Sequence, residues 1–353
     1  MFKVFKTLSV SFITLTAICV FVAETDSVGA TGTCQTSVYV TNFYGDNVSV
    51  VDSPSNTVRG STIAVGALPV DIAVSPNGDL AYVTNYGSGN VSVINTSSNS
   101  VIATVNVGGS PFKVSLTPNG DAAYVSNVGT DSVSVIDTAT NTVVGSPIAV
   151  SQNPIALAVA PNGNFAYVSS YTNGTVSVID TTSNIVTGTI PVGVEPGVVA
   201  FSPDSTTAYV ANYGSGTVSV VDTNTSSVTT TIAVGSQPGG VAITPDGSIA
   251  YVTNYLSSTL SVISTTTNTV TATLSLGAQP GGVAFTPDGS IAYIANSLAN
   301  SLTAIDVNTN SVTSTMTVGS GPLYLGVLPC QVPTPTTTTT VGSDSEVAPA
   351  FTG

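Results

Sequence analysis

The residues with the plainest chemical potential are carboxylates in series. Asp52, Asp137, Asp180, Asp222 and Asp306 stand at one recurring position, each closing an apolar-rich run and followed by a turn of Thr, Ser and Asn. Carboxylates could hold a hard cation or act as acid and base. Each of these belongs to a different copy of the pattern, however, and Asx-type turns account for Asp before Thr/Ser/Asn. Asn95 and Ser264 occupy the same position in two further copies and suit a local turn bond equally well. A second group is less regular. Two residues after a recurrent Pro come Asp71, Lys113 and Tyr324, where other copies carry Ala156, Val198, Gly240 and Gly282. These three irregularities form a candidate polar ligand site. A third set is aromatic: Tyr86, Tyr171, Tyr213 and Tyr255, with Phe43 and Tyr44, lie in Gly/Ser-rich loops where rings can stack on sugars or peptides.

Other chemistry is excluded by inventory. The chain has no His, no Trp and only 3 Cys among 353 residues. Ser-His-Asp and Cys-His catalysis, His-ligated zinc or copper and CxxCH haem attachment are therefore unavailable to it. No loop clusters acids at calcium spacing, so no metal and no cofactor is expected, and no enzyme activity. The formal net charge of −14 reflects scarce bases: of 4 Lys and Arg, two are Lys3 and Lys6, leaving Arg59 and Lys113. Nucleic acid needs clustered cations to neutralise phosphate, so it is not a partner.

The elements that position these groups come from a repeat. Tyr39, Tyr82, Tyr124, Tyr167, Tyr209, Tyr251 and Tyr293 each open a segment of the form Tyr-Val-Thr-Asn, at intervals of 42 or 43 residues. A second anchor recurs in step: Pro69, Pro111, Pro154, Pro196, Pro238, Pro280 and Pro322. Between anchors lie four short Val/Ile/Thr/Tyr-rich runs separated by turn residues, the first two joined by Pro-Asn-Gly or Pro-Asp-Gly. Four strands in a unit of ~40–45 residues is the period of a propeller blade. The expected fold is all-β: a seven-bladed β-propeller with four antiparallel strands per blade.

The Tyr-Val-Thr-Asn anchors, Val218 to Asp222 and its equivalents, and Gly240 to Gly247 resemble the YVTN β-propeller repeat family over residues 34–330. That family includes archaeal surface-layer proteins and related exported bacterial proteins. The resemblance implies the propeller fold and an exported or surface setting, and it implies no particular activity.

Tyr39 has no inner strand before it, and Pro322 to Pro329 matches an inner strand with no Tyr-Val-Thr-Asn after it. The C-terminal segment is therefore expected to supply the inner strand of the blade that Tyr39 begins, burying two open edges. Counted in the repeat, Cys34 and Cys330 both fall at the missing hairpin turn, which predicts a Cys34–Cys330 disulfide in an oxidising compartment.

The termini read differently. Residues 1–30 resemble a secretory signal: Lys3 and Lys6, an apolar run from Leu8 to Val22, and small residues at Val28, Gly29 and Ala30. That run is short for a span of ~20 residues and no second one follows, so no membrane span is expected after cleavage. The domain reading is 1–30 signal, 31–330 propeller and 331–353 a Pro/Thr-rich tail. The functional expectation is a secreted or cell-surface, non-catalytic module that presents a propeller face to a protein or glycan. The alternative is a propeller enzyme or metal-binding protein using carboxylates at the channel. Asp71, Lys113, Tyr324, Tyr86, Tyr171, Tyr213 and Tyr255 are its candidate ligand residues.

Overall fold

The computed structural model describes residues 36–330. The expected signal, the tail and Cys34 lie outside them. Seven antiparallel sheets form a ring. Blade 2 comprises Pro69–Val74, Leu80–Asn85, Asn90–Asn95 and Ser100–Asn106; blade 3 Pro111–Leu116, Ala122–Asn127, Ser132–Asp137 and Thr142–Ala149. Blade 4 comprises Pro154–Val159, Phe165–Ser170, Thr175–Asp180 and Ile185–Pro191; blade 5 Pro196–Phe201, Thr207–Asn212, Thr217–Asp222 and Ser227–Ala233. Blade 6 comprises Pro238–Ile243, Ile249–Asn254, Thr259–Ser264 and Thr269–Ser275; blade 7 Pro280–Phe285, Ile291–Asn296, Ser301–Asp306 and Ser311–Thr317.

Blade 1 closes the ring. Pro322–Val327 pairs antiparallel with Thr36–Asn42, setting Val38 opposite Val327, Tyr39 opposite Gly326 and Val40 opposite Leu325. Asn47–Ser53 follows, and the outermost strand is split into Thr57–Val58 and Ile63–Ala64. Beyond the ladder, the Leu328 amide donates to Ser37 O at 2.9 Å and Thr36 Oγ1 donates to Leu328 O at 2.5 Å. Cys330, two residues further on, is disulfide-bonded.

Neighbouring blades share seven apolar layers. One, between blades 1 and 2, joins Tyr39, Val48, Val50, Ile63, Ile72, Ala81, Val83, Ile94 and Leu328. Alternation along each strand sends its apolar side chains to one layer or the next.

The Tyr, Thr and Asn of the tetrapeptide each have a mechanical task. The Tyr ring is 0–2% exposed in all seven copies. Its hydroxyl crosses to the next blade and donates to an Asn in the turn between that blade's third and fourth strands. Tyr39 reaches Asn99 (2.5 Å), Tyr82 Asn141 (3.0 Å), Tyr124 Asn184 (2.6 Å), Tyr209 Asn268 (2.7 Å), Tyr251 Asn310 (2.5 Å) and Tyr293 Asn56 (2.7 Å). Those Asn residues all have φ between 51° and 56°, a left-handed conformation that Asn tolerates better than most residues. The Thr hydroxyl donates to the next blade's inner strand, as from Thr41 to Val70 O and from Thr84 to Phe112 O, each at 2.8 Å. The Asn amide ties down its own blade's third strand, as from Asn85 Nδ2 to Ser92 Oγ at 2.9 Å.

The exception among the clasps is Tyr167. Ser226 stands where Asn is needed, at φ 51°; its side chain faces the buried Tyr167 hydroxyl but forms no hydrogen bond of normal length with it. Ser226→Asn should complete the seventh clasp and suit the backbone better, adding about 1 kcal/mol. Thermal denaturation should show Tm rising by about 2–4 °C. An unchanged or lower Tm would mean the clasps carry no stability.

The tetrapeptide Asn also packs on the connector from the preceding blade. A Cβ on Gly66 would meet Asn85 at 2.6 Å, one on Gly193 would meet Asn212 at 2.4 Å, and one on Gly319 would meet Asn42 at 2.4 Å. In blade 4 both members change together: Ser151 replaces the glycine and Ser170 the asparagine. The shorter side chain at 170 leaves room for the Cβ at 151.

Candidate functional site: the mouth of the central channel

The inner strands surround the axis, and the loops after the second strands surmount one end of it. The series of aspartates lies elsewhere, in the turns between third and fourth strands. Asp137 Oδ1 accepts from the Thr140 amide at 2.8 Å, Asp180 Oδ1 from Ser183 at 2.7 Å and Asp222 Oδ1 from Asn224 at 2.8 Å. Bonds from turn amides and hydroxyls hold the Asp137 and Asp180 carboxyls below the usual carboxylate range. These are Asx turns. Among the described residues no group of three or more His, Cys, Asp or Glu could hold a metal ion.

Asp71, Lys113 and Tyr324 sit on the inner strands of blades 2, 3 and 1, and the structure brings all three together. Lys113 Nζ is 2.8 Å from Asp71 Oδ1 and 3.4 Å from the centroid of the Tyr324 ring. The Val114 amide donates to Asp71 Oδ2 at 3.1 Å. Both charged side chains are buried, at 11% and 7% exposure. Tyr324 reaches past blade 7 and directs its hydroxyl to Gly239 O on blade 6 at 3.4 Å. Glycine permits this crossing: a Cβ on Gly282 would meet the Tyr324 ring at 2.7 Å. Burial first, and the Asp71 charge second, push the Tyr324 phenol well above its ordinary range. The trio plugs the channel.

Beside this plug lies a cavity of about 250 Å³. Tyr171, Tyr213 and Tyr255, from the consecutive blades 4, 5 and 6, line it together with Tyr324. It exists because the residue after the anchor Pro is Gly197, Gly239 and Gly281 on blades 5 to 7, where blades 2 to 4 carry Val70, Phe112 and Ile155. Sequence reasoning missed these three glycines, although their run on adjacent blades was a readable departure from the repeat. Tyr86 is not a lining residue; it packs edge-on against Phe112 with centroids 6.3 Å apart.

The rim rings are held by the blade that follows each of them. Tyr213 donates to Gln237 Oε1 at 2.9 Å and Tyr255 to Gln279 Oε1 at 2.6 Å. Glu195 occupies the equivalent place for Tyr171. Burial, then the Glu195 carboxylate, push the Tyr171 phenol up to about 12. Outside the cavity, Leu256, Leu298 and Tyr44 occupy one loop position on blades 6, 7 and 1, and are 62%, 66% and 71% exposed.

Known structures share this architecture. A hydrazine synthase chain from Kuenenia stuttgartiensis aligns at 24% identity over 72% of this chain and 88% of its own, with a TM-score of 0.67. A Desulfotomaculum acetoxidans protein of unknown function aligns at 17% over 84% and 99%, with a TM-score of 0.75. A candidate 6-phosphogluconolactonase from Bacteroides fragilis aligns at 18% over 85% and 99%, with a TM-score of 0.72. At such identities the likeness is one of fold. No curated protein matches the chain significantly. The Choice-of-anchor I domain family matches residues 128–323. That stretch is more than half of the chain, and the protein belongs to the Choice-of-anchor I domain family.

Proposed function

We propose that the protein is an exported, non-catalytic binding module that receives a group of a protein or glycan partner in the cavity at its channel mouth. The observation that carries this reading is the cavity itself: three tyrosines on consecutive blades facing glycine-lined inner strands, closed off by a buried plug. Apolar, concave sites with a few placed polar groups are the usual form of a binding pocket. The exposed arc of Leu256, Leu298 and Tyr44 adds apolar surface on the same face for a larger partner. The non-catalytic reading is supported by the fate of Asp71, whose two oxygens are both taken by Lys113 and the Val114 amide.

The Choice-of-anchor I membership points to an extracellular or cell-surface module. Residues 1–30 supply an export signal in this reading, and the tetrapeptide anchors place the repeats in the YVTN type. A Cys34–Cys330 disulfide fixes the closure, since Thr36 and Leu328 already lie side by side.

A cavity-filling variant tests the reading without disturbing the fold. A Cβ on Gly239 meets nothing nearer than 3.6 Å, so Gly239→Leu can be accommodated while its side chain occupies the pocket. Capture of partners from the host envelope and binding to a glycan array should both fall in Gly239→Leu and in Tyr213→Ala or Tyr255→Ala. Undiminished capture by a folded Gly239→Leu protein would reject the cavity as the binding site.

A further inference from the structure

We propose that this cavity is an aromatic cage for an organic ammonium group, methylated at nitrogen, whether free or borne on a partner's side chain. The inference rests on the reading of the cavity as a binding site and adds the chemical class of its ligand.

Charge gives the first argument. The described residues contain two cations, and both are spent: Arg59 on Asp52 at 2.7 Å, Lys113 on Asp71 at 2.8 Å. An anionic ligand would find no counter-charge at the channel mouth. A cationic one finds a chain of net charge −14 and, across Tyr171 in the adjoining groove, the Glu195 carboxylate.

The rings give the second. Tyr171 and Tyr213 have centroids 6.3 Å apart and planes inclined at 50°, which makes an angled wall and not a stack. Tyr213 and Tyr255 each donate their hydroxyl hydrogen to a Gln oxygen. A phenol that donates to an acceptor becomes richer in electron density over the ring, and ring faces attract cations electrostatically. The protein uses this chemistry already, in the Lys113 ammonium lying over Tyr324 beside the Asp71 carboxylate. Tyr171 likewise has a carboxylate for a neighbour, Glu195, which acts on its phenol from the groove that adjoins the cavity.

Size and polarity narrow the class. At about 250 Å³ the cavity is smaller than the roughly 300–1,000 Å³ of sites that enclose whole drug-sized molecules, and it suits a head group or a side-chain end. A primary ammonium gives up strong hydration on entering an apolar wall and needs several acceptors in return. An N-methylated ammonium keeps its charge and presents methyl groups to the rings.

The test is calorimetric titration of the full chain with choline, with its neutral isostere 3,3-dimethyl-1-butanol, with a trimethyl-lysine peptide and with a neutral glycan. Choline or the peptide should bind saturably, with the isostere weaker by about tenfold or more. Tighter binding of the peptide assigns the group to a protein side chain, and tighter binding of choline to a free amine or head group; either supports the proposal. Glu195→Gln should weaken choline by about threefold to tenfold. This variant places at 195 the residue that blades 6 and 7 already carry in the same backbone conformation, as Gln237 and Gln279. Equal binding of choline and its isostere, or binding of the glycan alone, would overturn the ammonium class while leaving the cavity a binding site. Failure of both ammonium probes overturns it too, and partner capture by Gly239→Leu then judges the cavity separately.

Discussion

Asp71→Ala is expected to cost about 3–5 kcal/mol of folding stability, because it strands the Lys113 ammonium in the plugged channel without its carboxylate. The Tyr324 ring alone cannot compensate for that charge, and the Val114 amide loses its acceptor as well. Asp71→Ala combined with Lys113→Met should recover most of the loss, since Met fills the volume of the lysine stem and no buried charge remains. Denaturant unfolding of the two single variants and the double variant closes the cycle. A single variant that costs less than about 1 kcal/mol would show the pair to be solvated and worth no more than a surface contact.

The second large effect is alkaline. Burial pushes Tyr82 and Tyr251 from 10.0 up to about 12, with neighbouring aspartates adding to the shift. The other five clasp tyrosines are raised as well, each with burial as the leading cause. A phenol whose folded pKa lies above its unfolded value stabilises the fold while neutral. That contribution is complete below pH 10 and is lost as pH rises through 12. Tyr82 and Tyr251 each tie on the order of 2–3 kcal/mol to the neutral form. Circular dichroism and phenolate absorbance, recorded together, should show structure vanishing between about pH 10 and 12 as the tyrosines ionise in one step. Smooth titration near pH 10 with the sheets intact would show that the clasps are open to solvent.

The fold was legible because it is written seven times. Each tyrosine and each proline anchor recurs in register, and the unmatched strand at each end had one place to go. What escaped notice were contacts between copies. Asn56, Asn99, Asn141, Asn184, Asn268 and Asn310 form a third anchor, interrupted at Ser226, yet each lies one blade on from the tyrosine it serves, 59 or 60 residues along the chain, or 237 for Asn56 and Tyr293 across the closure. The paired change at Ser151 and Ser170 could likewise be read only once a glycine was known to touch an asparagine.

The candidate site was half legible. Asp71, Lys113 and Tyr324 stood out as polar exceptions, and they do meet, but by satisfying one another they form the plug beneath the cavity. The cavity arises from side chains that are missing. Gly197, Gly239 and Gly281 offer no chemistry of their own, and their effect depends on Tyr171, Tyr213 and Tyr255, which line the same cavity from the blade before each of them.

The closing strand has a consequence for how the molecule comes into being. The first sheet that the ribosome begins is the last that can be completed, because its partner is made nearly three hundred residues later. Six blades can assemble during synthesis while the opening strands wait. Tyr324 arrives with that final segment, so a chain halted short of it would lack the ring that lines the cavity. The cavity is thus walled in full only once the strand that closes the ring has been made.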